Sequence, residues 1–146
     1  MSEQSARFAL PFLAAGQAQK EIFHNEALIV TDMLLHPVAQ GVADMPPEAP
    51  AVGDCWIVGA DAGGAWAGHA GALAGWTGGG WRYAAPQPGM MVWRADRAAA
   101  VRYREGAWGD AEAIAAPSGG PVIDGEARAA IGALIVALRT QGLIRE

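Results

Sequence analysis

The sequence predicts a mainly β protein with flanking helices, of the α+β class: a small antiparallel β-meander, barrel or sandwich between an N-terminal helix and a C-terminal helix. Three observations predict it. Residues 53–110 hold all six tryptophans and thirteen of the twenty glycines, too much glycine for a helix and too much indole for a solvated linker. Within that stretch turn signals recur every 8–12 residues or so, the rhythm of a meander, small barrel or sandwich. On either side of it, apolar residues fall at helical spacing.

Residues 1–16 read as an extended arm. Pro11 sits among Phe8, Leu10, Phe12 and Leu13 and forbids a regular helix there. Four large apolar side chains in an arm need a surface, either the chain's own core or a neighbouring subunit. Phe8 and Phe12 are the arm's candidate assembly residues. Over residues 17–36 the periodicity turns helical: Phe23, Ala27, Val30 and Leu34 are spaced 4, 3 and 4 apart, and Ile22, Ile29 and Met33 widen the stripe. Lys20, Glu21, Asn25, Glu26 and Asp32 are expected on the other side. Gly16 marks the start and Pro37 the stop. Residues 1–40 thus form a mounting element, and residues 41–52, rich in proline, a semi-rigid extended connector.

The body, residues 53–110, divides into short strands at its glycine and proline turns. Cys55-Trp56-Ile57-Val58 lies between Gly53-Asp54 and Gly59; a glycine-rich passage follows, then Leu73 to Trp76, the Thr77–Gly80 turn and Trp81-Arg82-Tyr83. Strands also follow at Met90 to Arg94 and Val101 to Tyr103, and Glu105-Gly106 turns into Ala107-Trp108. Residues 111–146 read as a small-residue linker and a C-terminal helix. Asp124 is its N-cap and Gly142 its stop, with a helix over about residues 125–141. Ala127, Ile131, Leu134 and Leu138 form a narrow 4-3-4 seam. An isolated helix of that length is marginal in water, so the seam must pack on something. The flexible linker before it favours self-association through Ile131, Leu134 and Leu138 over packing on the chain's own body.

Bulk properties exclude several classes. With 146 residues the chain is one domain with room for a modest core. A net charge of −5 and a single lysine, Lys20, argue against nucleic-acid binding, which needs a basic face. The one cysteine, Cys55, has no partner for an intramolecular disulfide and rules out a cysteine-built zinc or iron–sulfur site. This fits folding in a reducing cytoplasm. No apolar run approaches about 18 residues, so no membrane span is expected, and the N-terminus lacks a signal-peptide pattern.

Catalytic constellations are missing. His24-Asn25-Glu26 resembles the opening of a zinc-deaminase signature without its cysteine half. Gly16 to Lys20 lacks the glycines and hydroxyl of a P-loop. Asp54, Asp61 and Asp96 are scattered rather than paired as in a glycosidase. Ser2, Ser5 and Ser118 are the only serines, none in a nucleophile elbow. The expectation is no enzyme, no metal and no cofactor.

The aromatic set remains. In a small β domain with few large aliphatic side chains, most tryptophans must be core; Trp56 and Trp93, in apolar runs, read that way. Trp76 and Trp81 flank a glycine turn and His69 lies in a glycine loop, so these, with Arg82 and Tyr83, are the candidate surface patch. Exposed indole and phenol rings stack on the apolar faces of sugars, and polar neighbours fix orientation.

Leu10-Pro-Phe-Leu-Ala-Ala-Gly-Gln-Ala-Gln-Lys-Glu21 followed by His24-Asn25-Glu26-Ala27-Leu28 resembles the N-terminal signature of a domain of alphaproteobacterial prophages and gene transfer agents, long described only as a domain of unknown function. The body is similar too, at Gly53-Asp54, Gly64-Ala-Trp66-Ala-Gly68, Gly80-Trp81-Arg82-Tyr83, Pro88-Gly89-Met90 with Trp93, and Gly106-Ala-Trp108. So is the tail, from Ile123-Asp124 through Ala127 to Ile131 and on to Gly142-Leu143-Ile144. The resemblance covers nearly the whole chain and implies a structural component of a virus-like particle, a head spike or tail fibre that helps the particle bind the recipient cell's surface polysaccharide. It implies other particle proteins as partners (a capsid vertex or tail, and a second spike or fibre protein) and a chain made in the cytoplasm and released within the particle. It carries no catalytic residues. The alternative is an adaptor that mounts a separate receptor-binding protein and touches no sugar; a polysaccharide depolymerase lacks its carboxylate pair.

Overall fold

The computed structural model describes residues 3–16, 20–119 and 124–144. Helix α1 (Lys20–Leu34) leads into two short strands, β1 (Val38–Ala39) and β2 (Val42–Ala43). Then come β3 (Cys55–Val58), a 3-10 turn (Gly64–Trp66), β4 (Leu73–Thr77) and β5 (Gly80–Ala84). Strands β6 (Met91–Arg94), β7 (Ala99–Arg104) and β8 (Ala107–Asp110) follow, and α2 (Gly125–Thr140) comes last. The architecture is mainly β with a helix at each end, as expected. The strands form two four-stranded sheets, ordered β1-β6-β7-β8 and β2-β3-β4-β5, rather than a closed barrel.

Each sheet is an antiparallel three-strand meander with one added parallel strand: β1 beside β6, and β2 beside β3. The stretch from Val38 to Ala43 therefore gives one strand to each sheet and ties the sheets together. Part of the expected 41–52 connector is thus body, because Val42 pairs with Ile57 and Ala43 with Val58. A two-residue strand is too short to show an alternating pattern, so nothing in the sequence announced it.

The core takes side chains from both sheets and from α1: Met33, Ala39, Cys55, Ile57, Leu73, Val92 and Val101. Gly75 makes room for Met33, since a Cβ there would lie 2.4 Å from the Met33 sulfur. Such a contact is far inside van der Waals distance, so close helix–sheet packing requires glycine at this position.

Helix α1 corrects the sequence reading in two ways. Its apolar stripe is split: Ile22 is 55% and Phe23 79% exposed, Ile29 and Val30 are half-buried, and Met33 alone of the stripe is buried, beside Asp32. The polar residues expected in solvent, Glu21, Asn25 and Asp32, instead hold the N-terminal segment. Asp32 accepts hydrogen bonds from the Ser5 hydroxyl (2.7 Å) and the backbone N–H groups of Arg7 (2.9 Å) and Phe8 (2.7 Å). Asn25 bonds both the N–H and the carbonyl of Leu13, and Glu21 accepts from the Gly16 N–H. A segment with few ladder partners of its own must satisfy its backbone somewhere, and three carbonyl-bearing side chains on one helical face do so. Residues 3–12 are also not a plain extended arm. They fold back through a Gln4–Pro11 bridge, and the Arg7 guanidinium caps the end of α1 through the carbonyls of Asp32, Met33, Leu35 and His36. Phe8 remains 45% exposed and Phe12 is half-buried. Gln17, the expected helix start, lies outside the described residues.

Helix α2 begins and ends as the sequence indicated. Asp124 accepts from the Ala127 N–H at 2.9 Å. At the other end Gly142, at φ +64°, donates to Arg139 while Leu143 donates to Leu138, the paired bonds of a Schellman stop. This terminus sits on the first sheet: Ala100 donates to the Gly142 carbonyl, and Gly142 lies against the Trp93 ring. Trp93 is therefore not core. Strand alternation turns Val92 inward and Trp93 outward, where it is 37% exposed. Of α2 only Ile135 is buried; Ile131 and Leu134 are exposed and Leu138 is half-buried. The seam residues thus leave an outward apolar surface. Among the described residues no helix is long and apolar enough to cross a membrane.

Candidate functional site: an aromatic sheet face

The second sheet has two unlike faces, and its register says which residues share each. Cys55 pairs with Gly75 and Gly75 with Arg82; Ile57 pairs with Leu73 and Leu73 with Ala84. These residues face the core. The residues between them face away: Trp56 pairs with Ala74, Ala74 with Tyr83, and Trp76 with Trp81. The outward side chains of β3, β4 and β5 are Trp56, Val58, Ala74, Trp76, Trp81 and Tyr83, none with a formal charge.

A loop folds over one end of this face and makes it a small second core. Trp66, at the end of the 3-10 turn, is completely buried against Val58 and Ala74. Its ring centroid lies 5.1 Å from that of Trp81, nearly edge-on, and 6.3 Å from that of Trp56. Trp81 is the hub, also 5.8 Å from Trp56 and 5.0 Å from Trp76. Tilted and edge-on pairs at these separations suit the ring quadrupoles and add about 0.5–1.5 kcal/mol each beyond burial. Among the described residues the Trp66 indole N–H has no hydrogen-bond partner.

The loop is fixed at several points. Asp44 accepts from the Asp61 N–H, and the Gly63 N–H donates to the Asp44 carbonyl. The Tyr83 hydroxyl donates to the Ala65 carbonyl at 2.6 Å, and burial pushes its pKa up. His69 lies flat on Tyr83, centroids 3.6 Å apart with planes 6° from parallel. From the other sheet, the Trp108 indole donates to the Gly71 carbonyl at 2.8 Å. At the opposite end of the face the Thr77 hydroxyl closes the β4–β5 turn on the Gly80 carbonyl.

Of the five residues that the sequence marked, His69, Trp76, Trp81 and Tyr83 come together on this face, all half-buried. Arg82 does not join them. Alternation sends it to the opposite face, where it forms a bidentate pair with Glu26 of α1 at 2.6 and 2.7 Å. That pair holds the Glu26 carboxyl below its ordinary value, the hydrogen bond to Arg82 being the main cause. Trp56, read as core, packs half-buried against this second core, and Trp66, which the sequence reading did not place, is fully buried in it. Trp66 lies in a loop, and loop residues have no periodicity from which to read burial.

Among the described residues no group of three His, Cys, Asp or Glu side chains is arranged to hold a metal ion. Ser5 is buried and its hydroxyl is committed to Asp32. Cys55 is buried in the core, which pushes its thiol up to about 11.

The model of a family described as "Protein of unknown function (DUF2793)" matches residues 24–109, from within α1 almost to the end of β8. The matched stretch includes the whole aromatic face. No curated protein matches the chain.

Proposed function

The chain belongs to the DUF2793 family, and on that premise we propose that it is a non-enzymatic component of a phage-like particle, a head spike or tail-fibre element of a gene transfer agent or prophage. In this reading it helps the particle adhere to the recipient cell's surface polysaccharide through the aromatic face of the second sheet. The observation that carries the adhesion reading is the exposed part of that face. Trp76 and Trp81 lie side by side 5.0 Å apart, and the His69–Tyr83 stack stands on the same uncharged surface. Rings fixed by a buried neighbour such as Trp66 are held in place before a ligand arrives, so stacking on a sugar costs little ordering. The assignment to a particle rests on the N-terminal run Leu10 to Leu28 and its resemblance. Assembly into a multimer is supported by the outward apolar residues of α2, Ile131 and Leu134, with Leu138 beside them. Repetition on one particle lets weak single sites act by avidity.

The test is binding of the purified chain to recipient capsule, comparing wild type with Trp76→Ala. Trp76 meets one ring of the cluster, whereas Trp81 meets three, so Trp81→Ala mixes lost binding with lost stability. Removing one stacking ring is expected to weaken binding by about threefold to tenfold, with the unfolding midpoint little changed. Unchanged binding in Trp76→Ala and His69→Ala removes the site. No binding, together with loss of a second spike protein from particles that lack this chain, establishes the adaptor. Release of reducing sugar from capsule restores an enzyme.

A further inference from the structure

The first sheet also has an outward face, and its chemistry is the opposite of the aromatic one. On β7 the outward residues are Ala100, Arg102 and Arg104. Arg102 pairs across the sheet with Met91 on one side and Gly109 on the other. These residues line a groove of about 220 Å³ that Leu143, just beyond α2, closes at one edge. Gly109 lines the groove without a side chain; a Cβ there would lie 4.0 Å from both the Arg102 carbonyl and the Arg104 Nε.

The chain carries fifteen acidic residues against ten basic ones, yet this face gathers arginines. Arg102 and Arg104 line the groove, and Arg97 and Arg139 line an adjoining one; among the described residues Asp110, common to both, is the one acidic residue lining either. Asp110 is paired with Arg97 at 2.8 Å. Arg102 and Arg104 are exposed, and among the described residues neither pairs with a carboxylate. Arg102 merely rests a nitrogen 3.3 Å from the Met91 sulfur. Two residues apart on one strand, their Cα atoms are about 6–7 Å apart.

We infer that this groove binds the carboxylate groups of an acidic polysaccharide, with Arg102 and Arg104 as the contacts. A guanidinium takes a carboxylate through two parallel N–H···O bonds, which a neutral sugar does not offer. The groove's apolar lining, Met91 and Leu143, offers a surface for a sugar ring next to the charges. Nucleic acid is disfavoured, because two unpaired arginines on a chain of net charge −5 release too few counterions. The groove gives the particle component a preference among glycans that the uncharged aromatic face lacks. The inference rests on the glycan-binding reading and deepens it.

The test uses polygalacturonate and the galactan obtained by reducing its carboxyl groups, with wild-type chain, the double variant Arg102→Ser/Arg104→Ser, and Trp76→Ala. Wild type is expected to prefer the acidic polymer by about tenfold or more, the worth of one charge-assisted contact, with the preference shrinking as salt rises. The double variant, altered only at exposed side chains, should bind both polymers equally. Trp76→Ala should weaken both while keeping their ratio. Equal binding of the two polymers by wild type overturns this inference and leaves the aromatic face intact, as does a preference that survives in the double variant. Failure of both polymers to bind, while recipient capsule still binds, overturns this inference alone; failure to bind capsule as well overturns the reading beneath it.

Discussion

Asp32→Ala removes one carboxylate that holds the N-terminal segment on α1. Asp32 is buried, and its two oxygens accept from the Ser5 hydroxyl and from the N–H groups of Arg7 and Phe8, at 2.7, 2.9 and 2.7 Å. A hydrogen bond to a charged group is worth about 1.5–3 kcal/mol net, and a donor left buried without a partner costs about 1–3 kcal/mol. The three losses do not simply add, because the segment lies at the surface and can lift into water, which caps the cost at that of undocking it. A loss of about 3 kcal/mol is expected on that ground. Asp32→Asn keeps one acceptor oxygen and should lose about half as much. Urea unfolding gives the stability, and amide hydrogen exchange at Arg7 and Phe8 locates the change. Exchange at those two amides should accelerate more than at the β4 amides of the same variant. Stability within about 0.5 kcal/mol of wild type, with Arg7 and Phe8 still protected, would refute the reasoning.

Two further substitutions or titrations probe other parts of the account. Gly142→Ala places a side chain at φ +64° and a Cβ 2.5 Å from the Trp93 ring; it should cost about 2–3 kcal/mol and lower helicity by circular dichroism, and an unchanged melting temperature would count against the docking of α2. Burial pushes the Cys55 thiol from 9.0 up to about 11, so the folded state keeps a proton that the unfolded state releases. Stability from this group is fully present below about pH 9 and is lost as pH rises toward 11. A thiol reagent at pH 8 should react at the rate of unfolding, and rapid reaction of native protein would contradict the buried placement.

The sequence carried the fold where its signals were local. Strands β3, β4 and β5 stand between glycine or proline turns, and the two ends of α2 are explicit in Asp124 and Gly142. Long-range pairing left no such trace. Strands β1 and β2 are two residues each, and the parallel partner of β1, β6, lies far along the chain. Asp32 looks like a solvated helix residue until residues 5–8 return to it. The contiguous part of the candidate patch, Trp81-Arg82-Tyr83, is divided by alternation: Trp81 and Tyr83 stay on the aromatic face with His69 and Trp76, and Arg82 crosses to Glu26. The same rule, applied to Val92 and Trp93, exchanges the residue read as core for the one that is. Where burial follows from a loop folding over, as for Trp66, composition alone gave no side to choose.

The most direct measurement of the central claim is mass spectrometry of purified phage-like particles from the producing cell. The account predicts this chain among the particle proteins, at a stoichiometry fixed relative to the capsid or tail and cross-linked to a neighbour through the outward surface of α2. Particles that are complete and infective while the chain stays behind in the cell would contradict it.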